Sequence, residues 1–78
     1  MKTIKLKYPI KIDGEDITEL NMRRAKVRDQ LAVQSGANDA EQEVKLFANL
    51  CEVKADIITE LDIADYHVLQ ETYTSFLS

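Results

Sequence analysis

The fold is decided by residues 3–20, which read TIKLKYPIKIDGEDITEL and have the pattern of a β-hairpin. Apolar and basic residues alternate in the first part of this stretch, as in a strand with one buried face. Asp13-Gly14 then supplies a pair that tolerates the positive φ angles of a two-residue turn. The sequence therefore predicts an N-terminal hairpin within residues 1–22.

Two features predict that this hairpin is irregular. Pro9 has no N–H group to donate to a ladder, so its strand lies at a sheet edge or ends there. On the returning strand the apolar anchors Ile17 and Leu20 are three residues apart, whereas regular alternation requires an even spacing. We therefore expect a bulge or an early exit from the ladder.

A short helix is predicted over residues 25–34, directly after the hairpin. Its stripe at helical spacing consists of Val27, Leu31 and Gln34, and Gly36 is placed to end it with a left-handed cap. Val27 and Leu31 are therefore expected to face the core.

Three further helical segments follow in the sequence. Asp39 is the expected N-cap of a helix that runs to Cys51, with a capping-box spacing. Residues 54–59 are predicted to form a short helical turn. Asp62 is the expected N-cap of the last helix, and Asp65 lies in its first turn, where the helix dipole favours an anion.

The predicted fold class is α+β, in a single domain over residues 1–78. An N-terminal β-hairpin region (1–22), with or without a third short strand, packs on three or four α-helices in the helical region (23–78). The expected core draws on both regions and comprises Ile4, Leu6, Ile12, Leu20, Val27, Leu31, Val44, Phe47, Cys51, Ile57, Tyr66 and Tyr73.

Composition and charge exclude several classes of protein. The 78 residues hold one cysteine, so no internal disulfide can form, and no apolar run is long enough to cross a membrane. Residues 1–28 carry eight Lys or Arg against four acids, whereas residues 29–78 carry two Lys against ten acids. The acidic half repels phosphates, which argues against binding to nucleic acid.

The residues that could carry catalysis or bind a metal stand apart from one another. Glu71 lies one turn beyond His67, the single histidine, and can pair with it, but no third ligand has a matching spacing. Cys51 lies on an apolar stripe and is expected to be a small buried side chain. The acids of residues 13–16 are accounted for by the hairpin turn. We therefore predict no catalytic residue, no metal ligand and no cofactor.

Several blocks in a fixed order give the chain a family resemblance. They are YPIKIDGEDITEL (8–20), MRR (22–24), VRD (27–29), LFANL (46–50), LDIADY (61–66), and Leu69 with the terminal SFL (75–77). Together they resemble the small tail assembly chaperones of Mu-like and related contractile-tailed phages, the group that includes tail protein E. One departure is Ala25, where the family often has proline.

The resemblance implies a non-enzymatic assembly factor. Members of this family are expected to bind the tape measure protein, to assist tail tube assembly with the tail tube protein as a further partner, and to act in the host cytoplasm. Neither nucleic acid nor a membrane is an implied partner, and a weak homo-oligomer stays open. The alternative is a small phage regulatory or DNA-associated protein that uses its basic N-terminal region.

Apolar side chains beyond one helical face are the candidate contacts for a partner protein. They are Leu46, Leu50, Leu69, Phe76 and Leu77. If part of this set is exposed, it can pack against the helices of a partner. The competing interpretation, in which all of these side chains belong to one compact core, stays open at this stage.

Overall fold

The computed structural model describes residues 1–33 and 38–77, and in these two ranges an antiparallel hairpin is followed by four helices. The elements are β1 (Lys2–Ile12), β2 (Glu15–Met22), α1 (Val27–Ala32), α2 (Asp39–Cys51), α3 (Ala55–Thr59) and α4 (Ile63–Phe76). The predicted α+β fold is confirmed, and the sheet of the described residues has two strands. Helix α4 packs on β1, while α2 packs on β2 and on α3.

The hairpin turn has the predicted conformation. Asp13 and Gly14 have φ angles of 50° and 84°, and the flanking residues Ile12 and Glu15 are paired across the ladder. Two consecutive positive φ values define a type I′ turn, whose twist matches that of the strands. A side chain at Gly14 would meet nothing within 4 Å, so glycine is favoured there by its backbone freedom and not by a lack of space.

The ladder between β1 and β2 is interrupted around Pro9. Lys5 pairs with Glu19 and Ile10 pairs with Ile17, so residues 6–9 of β1 lie opposite a single residue of β2. The irregularity that we predicted from sequence is therefore present, and its extra residues belong to β1. Those extra residues leave β1 with backbone groups that β2 cannot pair.

The core lies between one face of the hairpin and helices α2 and α4. Its buried apolar side chains are Ile4, Leu6, Leu20, Met22, Phe47, Ala48, Leu50, Cys51, Ile58, Leu61, Leu69 and Phe76. Phe47 is fully buried, and the rings of Tyr66 and Tyr73 lie 5.5 and 5.8 Å from its ring centroid. Tilted aromatic contacts of this kind stabilise a core beyond the area that they bury.

Helix α1 faces the other way from our prediction. Val27 and Leu31 were expected in the core, but their side chains are 76% and 62% exposed. The buried positions on this segment are instead Asp29 and Val33. Residues two apart on a helix point about 200° apart, so burying Asp29 turns Val27 and Leu31 to the surface.

The helix caps agree with the prediction in one case and differ in another. The Asp62 side chain accepts a 2.9 Å hydrogen bond from the Ala64 amide and caps α4 as predicted. The cap of α2 is Asn38, whose side chain accepts a 2.8 Å bond from the Glu41 amide, so the prediction of Asp39 was wrong by one residue. The predicted cap at Gly36 lies outside the described residues.

Candidate interaction surface

Asp65 joins the last helix to the first strand. Its carboxylate accepts hydrogen bonds from the backbone amides of Lys7 at 2.9 Å and Tyr8 at 3.0 Å. These two amides lie in the irregular segment of β1, where the ladder provides no partner. The side chain is buried, with a relative exposure of 2%. Its position in the first turn of α4 was predicted correctly.

A second carboxylate, that of Asp29, fixes the entry to α1. Both of its oxygens accept hydrogen bonds from the Arg23 guanidinium, at 2.8 and 2.9 Å, and one also accepts from the Lys26 amide at 2.7 Å. These hydrogen bonds hold the pKa of Asp29 well below its usual range, and the bond from Arg23 contributes more than the bond from Lys26. The Arg23 amide in turn donates to the carbonyl of Leu50, which ties this corner to α2.

Arg24 holds the other end of α4. Its guanidinium donates a 2.8 Å hydrogen bond to the carbonyl of Phe76 and lies 5.5 Å from the centroid of the Phe76 ring. A cation at this position satisfies a carbonyl that the helix itself leaves unpaired and complements the helix dipole. Arg23 and Arg24, which belong to the basic N-terminal region, thus stabilise the fold.

Helices α2 and α4 are further joined by Glu43. One oxygen of its carboxylate accepts hydrogen bonds from the Tyr66 hydroxyl at 2.6 Å and from the Gln70 side-chain amide at 2.8 Å. Burial, together with the bond to this carboxylate, raises the pKa of Tyr66. The polar side chains between the two helices are therefore mutually satisfied.

The single cysteine and the single histidine lie in different surroundings. Cys51 is buried, and burial raises the pKa of its thiol to about 11, so it is protonated at neutral pH. His67 is exposed on α4. Among the residues that the structure describes, no three His, Cys, Asp or Glu side chains could jointly hold a metal ion. No helix in those ranges has both the length and the apolar character needed to cross a membrane.

The predicted partner contacts are divided between core and surface. Leu50 and Leu69 are fully buried, and Phe76 is buried beneath Arg24. Leu46 is half-buried, whereas Leu77 is 67% exposed. The wide apolar arcs of α2 and α4 are thus largely used inside the chain, because the hairpin packs on both helices and the two helices share the contacts of Phe47 with Tyr66 and Tyr73.

Other apolar side chains, which we did not predict as contacts, lie at the surface. Val27 and Leu31 stand one turn apart on the outer face of α1, and Ile63 is 66% exposed at the start of α4. Tyr8 and Val68 are exposed to a lesser degree. The spacing of Val27 and Leu31 was visible in the sequence, but a stripe of this kind predicts burial as readily as exposure to a partner.

Several surface hollows adjoin α3, and two of them are relevant to partner binding. One of about 320 Å³ lies between α2 and α3, and its lining consists of Ala40, Glu41, Val44, Lys45, Ala55 and Thr59. The other, of about 510 Å³, lies between the hairpin tip and the segment that joins α2 to α3. We call the second hollow the tip groove; it is lined by Ile12, Asp13, Glu15, Glu52, Val53, Lys54, Asp56 and Ile57.

Comparison with known protein families identifies the chain. A family model described as "Phage tail assembly chaperone proteins, E, or 41 or 14" matches residues 3–78. The chain belongs to the phage tail assembly chaperone family. The resemblance seen in the sequence is thereby confirmed, and membership implies protein partners in the tail. Comparisons with curated proteins and with solved structures gave no match.

In this tail assembly chaperone, several blocks that carry the family resemblance contain residues whose hydrogen bonds stabilise the fold. The block 22–24 contains both arginines that anchor α1 and α4, and the block 27–29 ends with the carboxylate of Asp29. The block 61–66 contains the cap Asp62 and the buried Asp65. These blocks are explained by folding, so partner contacts must be sought on the surfaces described above.

Proposed function

We propose that this chaperone is a non-enzymatic factor that binds the tape measure protein of its phage and assists assembly of the tail tube around it. The family match over residues 3–78 is the observation that carries this proposal. The tail tube protein is the second proposed partner, and the host cytoplasm is the proposed place of action.

The outer face of α1 is the first proposed contact for the tape measure protein. Val27 and Leu31 are exposed one turn apart, which is the spacing of anchors that pack against another helix. Both side chains sit on a segment that Arg23 and Asp29 hold in place through two hydrogen bonds, so the face is presented in a fixed orientation. A client with apolar helical segments can therefore cover this face without rearranging the chaperone.

Leu77 and Leu46 extend the proposal to the surface near the end of α4. Leu77 is 67% exposed, and Leu46 is half-buried beside Val33 and Tyr73 at a shallow hollow between α1, α2 and α4. These two are the predicted contacts that the fold leaves accessible. Leu50, Leu69 and Phe76 contribute by supporting the helices that carry the surface.

The net charge supports a role in keeping a client in solution. The chain carries a formal charge of −4, and ten of its fourteen acids lie in residues 29–78. A complex whose outer surface is acidic repels other complexes, which opposes aggregation of an apolar client.

The proposal is tested by co-expressing the chaperone with the tape measure protein of the same phage. We expect a larger soluble fraction of the tape measure protein and a complex that co-elutes in gel filtration. Leu31→Asp should weaken this complex about tenfold, because it places a charge on the apolar face of α1. The matched control is Ala32→Asp, which adds the same charge at an exposed neighbour on the same helix, outside the hollow that contains Leu46.

Two outcomes would overturn parts of the proposal. If the wild-type chaperone neither raises the soluble fraction of the tape measure protein nor co-elutes with it, the proposed function is wrong. If it does both and Leu31→Asp behaves like Ala32→Asp, the function stands but the α1 face is not the contact. A shift of duplex DNA by the chaperone, in the absence of client binding, would support the DNA-associated alternative instead.

A further inference from the structure

The tip groove combines an apolar floor with an acidic rim. Ile12, Val53 and Ile57 are half-buried and form the apolar part of its lining. Four exposed carboxylates surround them, and Lys54 is the single basic side chain in the lining; the acids are Asp13, Glu15, Glu52 and Asp56. The acids come from both walls of the groove, two from the hairpin tip and two from the segment around α3.

Two of these acids, Asp13 and Glu52, lie at backbone positions with a positive φ. Asp13 lies in the type I′ turn, and Glu52 has a φ of 56° in the left-handed region. The Glu52 amide donates to Asn49 and the Val53 amide donates to Ala48, which is the bonding pattern of a Schellman motif at the end of α2. Glycine is the favoured residue at the left-handed position of this motif, because it has no side chain to crowd the backbone.

Glu52 thus places a charged side chain where the fold alone favours glycine. A non-glycine residue in this conformation costs about 1 kcal/mol. The carboxylate of Glu52 adds to the acidic rim, on the wall of the groove opposite the hairpin turn.

We infer that the tip groove binds a basic amphipathic segment of a partner polypeptide, with apolar side chains on the floor and Lys or Arg side chains against the rim. This inference rests on the proposed function in that it assigns the segment to the tape measure protein. The acidic rim repels phosphates and anionic lipid headgroups, so nucleic acid and membrane surfaces are unsuitable occupants.

The first strand of a second copy is a poor occupant. Four of the ten basic side chains lie on β1, where Lys5 and Lys7 alternate with Ile4 and Leu6, whose side chains are buried in the core. That strand therefore presents lysines without the apolar neighbours that the floor of the groove requires. A partner with both features on one face fits better.

The inference is tested first with a synthetic helical peptide of leucine and lysine, and with its leucine–glutamate counterpart as a negative control. The Leu–Lys peptide should shift the amide resonances of residues 12–15 and 52–57 in an NMR titration of the ¹⁵N-labelled chaperone. Binding should weaken as salt is raised, since ion pairs at an exposed rim are screened. Shifts confined to other residues would overturn the inference.

Variants with two reversed charges test whether the Leu–Lys peptide binds in the tip groove. Glu15→Lys with Asp56→Lys should weaken binding of the Leu–Lys peptide about tenfold and flatten its salt dependence. The matched control, Glu60→Lys with Glu71→Lys, makes the same change in net charge at exposed positions outside the tip groove and should alter binding less than about twofold. Equal losses in the two pairs would mean a general attraction to an acidic chain and would overturn the inference.

The milder pair Glu15→Gln with Asp56→Asn serves if the reversal pair does not fold, as judged by circular dichroism. It should weaken binding about threefold, and unchanged binding would count against the groove.

Sedimentation of the same variants tests whether a second copy of the chaperone occupies the groove. A change in self-association without a change in peptide binding would overturn the inference in favour of that occupant.

Repeating the titrations with the tape measure protein separates the inference from the proposed function. If the wild type binds this protein and the groove variants bind it equally well, the groove is not its site and only the inference fails. If the wild type does not bind it but binds the Leu–Lys peptide in the groove, the proposed function fails and the groove remains a site for basic segments.

Discussion

Single carboxylates satisfy backbone amides that secondary structure leaves unpaired in this chain. Asp62 and Asp29 do so at the starts of α4 and α1, and Asp65 does so for two amides of β1. A hydrogen bond from an amide to an ionised carboxylate is about twice as strong as one between neutral groups. These side chains therefore matter more to stability than their polar character suggests.

Glu52 offers a direct test of strain at one residue. Glu52→Gly should raise the free energy of unfolding by about 0.5–1 kcal/mol, because glycine adopts the left-handed conformation without crowding. Chemical denaturation by urea would measure the change. Asn49→Gly, at an exposed site within α2, is the control and should lower the free energy of unfolding by about 0.3 kcal/mol, because asparagine is already a weak helix former. A less stable Glu52→Gly variant would contradict the strain argument.

The pair formed by Arg23 and Asp29 predicts a pH dependence of stability. The pKa of Asp29 lies well below its usual range in the folded chain, whereas in the unfolded chain it is about 3.9. Below about pH 4 the unfolded state therefore takes up a proton that the folded state does not, and this contribution to stability declines as the pH falls. Above that pH the contribution is complete.

Urea denaturation over a pH series checks this expectation. Asp29→Asn and Arg23→Ala should both be less stable than the wild type near neutral pH. The difference from the wild type should shrink as the pH falls below about 4. A difference that stays constant down to pH 2 would show that the ion pair does not carry the effect.

At the scale of elements, the hairpin and the helices followed from local sequence patterns, whereas the orientation of α1 did not. The turn at Asp13-Gly14 and the cap at Asp62 depend on a few neighbouring residues, so sequence alone predicted them. The inward face of α1 depends on Arg23, six residues before Asp29, forming an ion pair with it. An apolar stripe on a helix of six residues is too short to outweigh that pair.

The contrast between α1 and α2 predicts opposite responses to shortening a leucine. Leu31→Ala should change the free energy of unfolding by less than about 0.5 kcal/mol, since the side chain is largely exposed. Leu50→Ala should lower it by about 2–5 kcal/mol, since that side chain is fully buried. Thermal and urea denaturation would measure both variants. A large loss for Leu31→Ala would mean that the side chain is buried in solution.

At the scale of the whole molecule, the two halves of the chain meet through contacts between residues far apart in sequence. The tip groove has walls from residues 12–15 and from residues 52–57, and no local pattern predicts that these segments adjoin. The hydrogen bond from the Lys7 amide to the Asp65 carboxylate joins residues 58 positions apart in the sequence. Family resemblance predicted the class of protein, but placing its surfaces required the three-dimensional fold.

Hydrogen exchange at the Lys7 and Tyr8 amides should report on this long-range contact. Their partner is a carboxylate on α4, so they should exchange together with the amides of α4 and not with those of β2. Asp65→Asn retains only one acceptor oxygen and should accelerate exchange at one or both amides about tenfold or more. Glu71→Gln, an exposed change on the same helix, is the control. Unchanged exchange in Asp65→Asn would contradict the contact.

The anchoring of α4 at both ends has a consequence for how the protein is made. Arg24 holds the carbonyl of Phe76, and Asp65 holds the irregular segment of β1, so the first strand depends on residues near the far end of the helix-rich half. Because synthesis runs from the N-terminus, the residues of the hairpin are joined to the chain before those of α4. The first strand therefore reaches its final state only after α4 has been synthesised, and until then two amides of β1 remain open to water.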